Sequence, residues 1–247
     1  MLTVACYFWL DPARRRSYQI TPNDVRVWDA MIARHLTLPH RRVCITHRPD
    51  LIPFMETVPL DTTKHVPGTC LVKLMTWRPD IAPILGERIC VMDVDCVVTG
   101  SLNPILDRSE DVVLWKNPNY VPGGRRGFYQ GSLQLLTAGA RPQLWEDFDV
   151  GALRWLNRRF GGAEQCWISE RLNTSYPAAG WEWTEAHWTE DDGVYGAGRL
   201  FNGQMGAGVT TELPSNARIV FTPGDRSPSQ PEMQAKHEWI KEHWRAA

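Results

Sequence analysis

The chain has 247 residues, 43% of them hydrophobic and 22% charged, enough apolar material to bury a sizeable core and too little charge for a disordered chain. A formal net charge of −1 gives no global field that would hold a polyanion. No apolar run approaches the roughly 18 residues a membrane span needs, and Met1-Leu2-Thr3 carries no basic-then-apolar leader, so the expectation is a soluble cytoplasmic protein.

In chain order, residues 4–9 read as a first strand that ends in Trp9 before Asp11-Pro12, followed by a loop with Arg14-Arg15-Arg16. Thr21-Pro22-Asn23-Asp24 reads as a helix start, with Thr at the N-cap, Pro at N1 and an acid at N3. Val25, Trp28, Ile32 and Leu36 then recur at helical spacing until Pro39. Residues 43–46 form a second apolar strand, and this β-α-β opening predicts a right-handed crossover and a parallel sheet. Residues 47–68 carry four prolines and read as loop. A short helix over about 69–77 turns Leu71, Leu74 and Met75 inward. Lys73 sits among them and reads first as a lysine whose ammonium reaches solvent past its own stem.

Residues 88–100 organise the rest. Ile89 to Met92 is the apolar run of a strand buried on both faces, and it ends in Asp93-Val94-Asp95. Two carboxylates two residues apart project to one side of an extended chain. They repel unless a cation lies between them. Oxygen ligands suit a hard divalent ion, Mg²⁺ or Mn²⁺, which uses one or two carboxylates plus phosphate oxygens. The crevice beyond the strand ends is where open α/β sheets bind ligands.

Further on, residues 111–115 read as a strand, the polar 117–127 as a loop over a cleft, and 129–136 as another strand that contains Gln130-Gly131-Ser132. Helices are expected from Arg141-Pro142 to Phe148, over roughly 150–160, and from Ala163 onward through Glu164-Gln165. Residues 176–205 are rich in Trp, Gly and acids and read as short strands and loops. The last strand covers 218–222. Ser229-Gln230-Pro231-Glu232 has the pattern of a capping box that starts a C-terminal docking helix over 230–246, with Met233, His237, Ile240 and Trp244 on one face. The six cysteines have no CxxC spacing and lie mostly in apolar runs, as expected of free thiols in a reducing compartment. The twelve tryptophans divide between core and ligand stacking in a way composition does not settle. The basic clusters at 14–16, 41–42, 125–126 and 158–159 read first as solvated faces. There is no internal repeat or linker, so one domain over 1–247 is expected.

Val91 to Leu102, with the Asp93-Val94-Asp95 triplet, a hydrophobic pair, Gly100 and Ser101-Leu102, resembles the metal site of nucleotide-sugar glycosyltransferases of the GT-A fold. The likeness is to the retaining glycogenin-like and lipopolysaccharide-galactosyltransferase-like enzymes. It extends in order over most of the chain: first strand, Lys73 helix, Asp93/Asp95, Gln130-Gly131-Ser132 in place of an Asn-led segment, Glu164-Gln165 in place of Asp-Gln, last strand and C-terminal Trp helix. It implies an α/β, Rossmann-like single domain with a mostly parallel central sheet flanked by helices. It also implies metal-dependent transfer from a nucleoside diphosphate-sugar, a UDP-sugar, to a hydroxyl, with retention.

On this resemblance Asp93 and Asp95 hold Mn²⁺ or Mg²⁺. Trp9, Lys73, Asp93, Gly131 and Ser132 bind the donor, and Gln130, Glu164 and Gln165 act at the sugar. One departure stands out. The family's last strand leads to a His that ligates the metal and a Lys that holds the diphosphate. Here residues 221–228 contain neither, which leaves Asp225 as the replacement ligand and Arg226 as the replacement phosphate contact. The acceptor is expected to be a saccharide. Arginine pairs interleaved with aromatics leave hydroxymethylated bases in DNA as an alternative, and the missing His and Lys leave a non-catalytic nucleotide-sugar or glycan-binding module as another.

Overall fold

The structure, a computed structural model, describes residues 1–10, 19–61, 70–116, 129–149, 151, 154, 164–172, 183–197, 212–222 and 226–246. Its centre is a seven-stranded sheet in the order β3-β2-β1-β4-β7-β6-β8. These strands are β1 (Leu2–Phe8), β2 (His40–Thr46), β3 (Glu56–Pro59), β4 (Arg88–Met92), β6 (Val112–Lys116), β7 (Tyr129–Thr137) and β8 (Ala186–Trp188). The first four lie parallel, β7 runs antiparallel to both β4 and β6, and β8 is parallel to β6. A smaller sheet in the order β5-β10-β9 comprises β5 (Cys96–Val98), β9 (Val194–Gly196) and β10 (Ile219–Phe221).

The apolar run of β1 is buried throughout because alternate side chains enter two different cores. Val4, Cys6 and Phe8 join Cys44, Cys90 and Met92 on the face covered by helix α1 (Pro22–His35), the small sheet and the C-terminal helices. Ala5 and Tyr7 join Val43, Ile45, Ile89 and Val91 on the other face. That face is covered by a 3-10 helix (Cys70–Trp77) and by α2 (Glu164–Leu172).

Helix α1 starts as its sequence dictates. Thr21 accepts from the Asp24 N–H, Asp24 accepts in return from the Thr21 N–H at 2.6 Å, and Pro22 occupies the first turn. The last turn of α1 is tied to the chain terminus by Arg34, which donates to the carbonyls of His243 and Arg245 at 2.9 and 2.8 Å.

Several expectations are corrected. Residues 56–59, read as loop, form an edge strand. Only Val58 is buried there, so the pairing with β2 carries no alternating signal. After Asp95 the apolar run Cys96–Val98 forms β5 of the second sheet, paired antiparallel with β10. The stretch from Arg141 to Phe148 contains one helical turn, Gln143–Glu146.

The 229–232 capping box does not form. The N-cap is Gln230, without a side-chain cap, and the expected single C-terminal helix breaks at the extended backbone of His237 into α3 (Pro231–Lys236) and α4 (Glu238–His243). Met233, His237, Ile240 and Trp244 are nonetheless all buried. Eight of the twelve tryptophans (28, 77, 115, 145, 167, 188, 239 and 244) are core residues, so most of the surplus is structural. The 117–127 loop, the 150–160 helix apart from 151 and 154, Trp181 and the clusters at 14–16, 125–126 and 158–159 lie outside the described residues. Among the described residues no helix is long and apolar enough to cross a membrane.

Candidate active site

The C-terminal edge of β1 and β4 and the N-terminal edge of β7 coincide, because β7 enters the sheet against the direction of β4. Trp9 follows β1, Asp93 to Asp95 follow β4, and Gln130 to Ser132 open β7. The backbone carries the antiparallel ladder one step beyond β4, where the Asp93 N–H donates to the Ser132 carbonyl at 2.9 Å. Val94 is buried and Asp93 and Asp95 are half-buried, in the bend through which the chain passes from β4 to β5. The Asp95 carbonyl is fixed by Thr222, which donates to it through both N–H and Oγ1 at 2.9 Å.

Lys73 does not reach solvent. It is 5% exposed, and its Nζ lies 2.5 Å from Asp93 Oδ1 and 3.0 Å from Glu164 Oε1. Burial by itself pushes the ammonium down, but the charges of Asp93 and then Glu164 outweigh it and hold the group well above the usual lysine range. The backbone carbonyl of Lys73 is clamped from below by Thr76 Oγ1 at 2.7 Å and by the Tyr7 hydroxyl at 3.3 Å. Cys70 lies one turn earlier on the same helix. Burial first, then the charge of Glu164, push its thiol far up.

Glu164 stands at the first position of α2 and is 2% exposed. It packs on the backbone of β7 at Gly131, where an added Cβ would come within 2.8 Å of the Glu164 carboxyl carbon. The missing side chain at Gly131 leaves the room in which Glu164 reaches Lys73. We predict that Gly131→Ala displaces the carboxylate and lowers turnover about 10- to 100-fold, the usual loss for a misplacement near 1 Å. Shortening the opposing side chain in Gly131→Ala/Glu164→Asp should recover part of that loss, a non-additivity read directly from kcat of the two single variants and the double.

Three buried polar atoms at this edge have no hydrogen-bond partner among the described residues: Trp9 Nε1, Gln130 Nε2 and Glu164 Oε2. Two donors and one acceptor are the complement a polyol requires. Gln165 and Ser132 are half-buried beside them, and Arg226 is half-buried beyond residues 223–225. Asp225 lies outside the described residues. Lys73, Asp93, Glu164, Gly131 and the Ser132 backbone are thus brought into direct contact. The Asp93–Asp95 pair suits a hard divalent cation by the chemistry of its donors, although among the described residues no three ligating side chains converge. Missed in the sequence was Gln134, a fully buried amide among Leu133, Leu135 and Leu136. A polar residue inside an apolar strand was the available signal.

No protein-family model matches the sequence, and no curated protein matches it. Solved structures do. The chain is similar to the galactosyltransferase LgtC in complex with donor and acceptor sugar analogues, at 10% identity and a TM-score of 0.56, covering 98% of this chain and 96% of that one. This chain has the GT-A glycosyltransferase fold. The glycosyltransferase GlyE of Streptococcus pneumoniae TIGR4 in its apo form gives the same TM-score of 0.56 at 10% identity. That match covers 96% of this chain but only 59% of GlyE, so the present chain spans about three fifths of GlyE. A second GlyE structure agrees, at 9% identity and a TM-score of 0.56, over 97% of this chain and 60% of that one. In this GT-A fold the Lys73–Asp93–Glu164 contact sits at the strand ends, where the sheet leaves its crevice.

Proposed function

We propose that the protein is a metal-dependent glycosyltransferase that moves a sugar from a nucleoside diphosphate-sugar, with UDP as the nucleotide, to a hydroxyl of a saccharide, with retention of configuration. The observation that carries this reading is the buried ammonium of Lys73, held between Asp93 and Glu164 beside the second acid of the Asp93–Asp95 pair. A cation and two strand-end carboxylates form the charge pattern that a metal-diphosphate needs. Asp93 and Asp95 would hold Mn²⁺ or Mg²⁺, with Asp225 as the candidate third ligand. When bound, the ion supplies Lewis-acid neutralisation of the departing diphosphate.

The chain's own groups do the rest. Lys73 stays protonated through neutral pH and adds fixed positive charge at the diphosphate, with Arg226 proposed as a second cation. Trp9 Nε1 and Gln130 Nε2 donate to donor oxygens. Glu164 Oε2 accepts from a sugar hydroxyl while its other oxygen stays on Lys73, and Gln165 and Ser132 border the sugar. The retaining outcome is carried over from the family that the sequence resembles. A saccharide is favoured over DNA because the one arginine pair that is described is engaged internally, Arg41 with Glu56 and Arg42 with Asp29 at 2.6 Å. The six cysteines form no disulfide, in keeping with a reducing compartment such as the cytoplasm.

The test is a panel of nucleotide-sugars incubated with the protein and Mn²⁺, with release of free nucleotide as the readout. One donor should be hydrolysed slowly, and EDTA should stop the release. Binding of nucleotide-sugar without any release would favour a non-catalytic module, and release insensitive to EDTA would remove the metal from the proposal.

A further inference from the structure

The antiparallel pairing of β7 with β4 is continuous from Thr137↔Arg88 to Leu133↔Met92, but its pairing with β6 is not. Leu114 faces Gln134 and the very next residue, Trp115, faces Gln130, so one step on β6 spans four on β7. Residues 131–133 are therefore bulged away from β6 while Ser132 still accepts from the Asp93 N–H. A bulge of this size frees backbone groups that burial does not allow to stay free.

One side chain supplies the missing partner. Gln134 is fully buried on the face that carries Trp77, and its Nε2 donates to the Gly131 carbonyl at 2.9 Å. Its Oε1 accepts from Trp77 Nε1 at 3.0 Å. Trp77 is the last residue of the 3-10 helix that bears Lys73, and Gly131 is the surface on which Glu164 rests. A single amide thus joins the element that presents the cation to the bulge that seats its carboxylate partner. No apolar residue of the same size can do this, because both a donor and an acceptor are consumed.

We infer that Gln134 is a positioning residue: the Trp77–Gln134–Gly131 relay sets the distance between the Lys73 helix and the β7 bulge, and so the alignment of Lys73, Asp93 and Glu164. The inference rests on the transferase reading for its kinetic consequence and on the hydrogen bonds alone for its structural one. The two can fail separately.

The experiment compares wild type with Gln134→Met, which keeps the volume and loses both bonds, and with Gln134→Glu, which can still accept from Trp77 but, when ionised, cannot donate to Gly131. Two readouts are taken: donor hydrolysis, and hydrogen exchange of the segments spanning 70–77 and 129–137. Gln134→Met should lower kcat about tenfold or more with donor KM within about threefold of wild type, in keeping with lost alignment rather than lost binding. Exchange should rise in both segments together. Gln134→Glu should loosen 129–137 more than 70–77. Combined with Gly131→Ala, Gln134→Met should add little further loss, since both act through the same seat.

A folded Gln134→Met with kcat within twofold of wild type overturns the inference. So does a Gln134→Met variant whose exchange rises in 129–137 alone. Should the wild type hydrolyse no donor, the transferase reading fails and exchange decides the relay by itself: coupled loosening of both segments upholds it, and anything less removes it. If Gln134→Met does not fold, Trp77→Phe, which removes the indole donor together with part of the ring's volume, is judged by the same two readouts.

Discussion

Asp95→Asn is expected to lower Mn²⁺-dependent donor turnover about 1,000-fold while the melting temperature stays within a few degrees of wild type. The substitution keeps the shape of the side chain and the Asp95 carbonyl, to which Thr222 donates twice, so the turn that links the two sheets survives. It removes one of the two negative charges proposed to hold the cation. A divalent ion that neutralises a leaving group supplies several kcal/mol of transition-state stabilisation, and about 4 kcal/mol corresponds to roughly three orders of magnitude in rate. Two measurements check this: turnover as a function of Mn²⁺ concentration, and direct Mn²⁺ binding by electron paramagnetic resonance. Asn should shift both. A variant that turns over at the wild-type rate in EDTA would end the metal proposal and leave the fold untouched.

Lys73→Met should damage stability and activity together. Removing one member of a buried ion cluster leaves uncompensated charge, which destabilises by about 3–5 kcal/mol. Here two carboxylates, on Asp93 and Glu164, lose the same partner. In the wild type the Lys73 ammonium is held above the usual lysine range, so its contribution is complete at neutral pH and is lost only as pH climbs through that raised value. Turnover should fall about 100-fold or more, the order seen when a preorganised electrostatic group is removed from a transition state. Chemical denaturation and donor hydrolysis at pH 7.5 test both parts. Equal stability of variant and wild type at pH 7.5 would show that the cluster is not the buried ion pair described.

Much of the fold was legible because local rules and tertiary outcome agree. The Thr21–Asp24 box caps α1 as written, and the unbroken apolar runs of β1 and β4 became strands buried on both faces. The Asp93-Val94-Asp95 triplet was legible as a charged end to an apolar strand, and Lys73 lies against the first of its acids. Less legible were β3, whose short edge position leaves almost no periodic signal, and the C-terminal pair α3 and α4. There the apolar spacing continues through His237 although the helical hydrogen bonds do not.

The sequence by itself determined which residue types face each core, where the acids fall relative to the sheet, and that Lys73 lies one element before them. Those properties follow from spacing along the chain, and spacing survives without a third dimension. Only the tertiary structure decided which charges meet: Lys73 with Asp93 and Glu164, and Gln134 between Trp77 and Gly131. These partners stand 20, 91, 57 and 3 residues apart. A contact between distant residues is set by how sheet, bulge and helix pack, and no local pattern encodes it. The purpose of Gly131 shows the difference: its lack of a side chain was plain in the sequence, while the carboxylate that fills the space arrives from a helix more than thirty residues downstream.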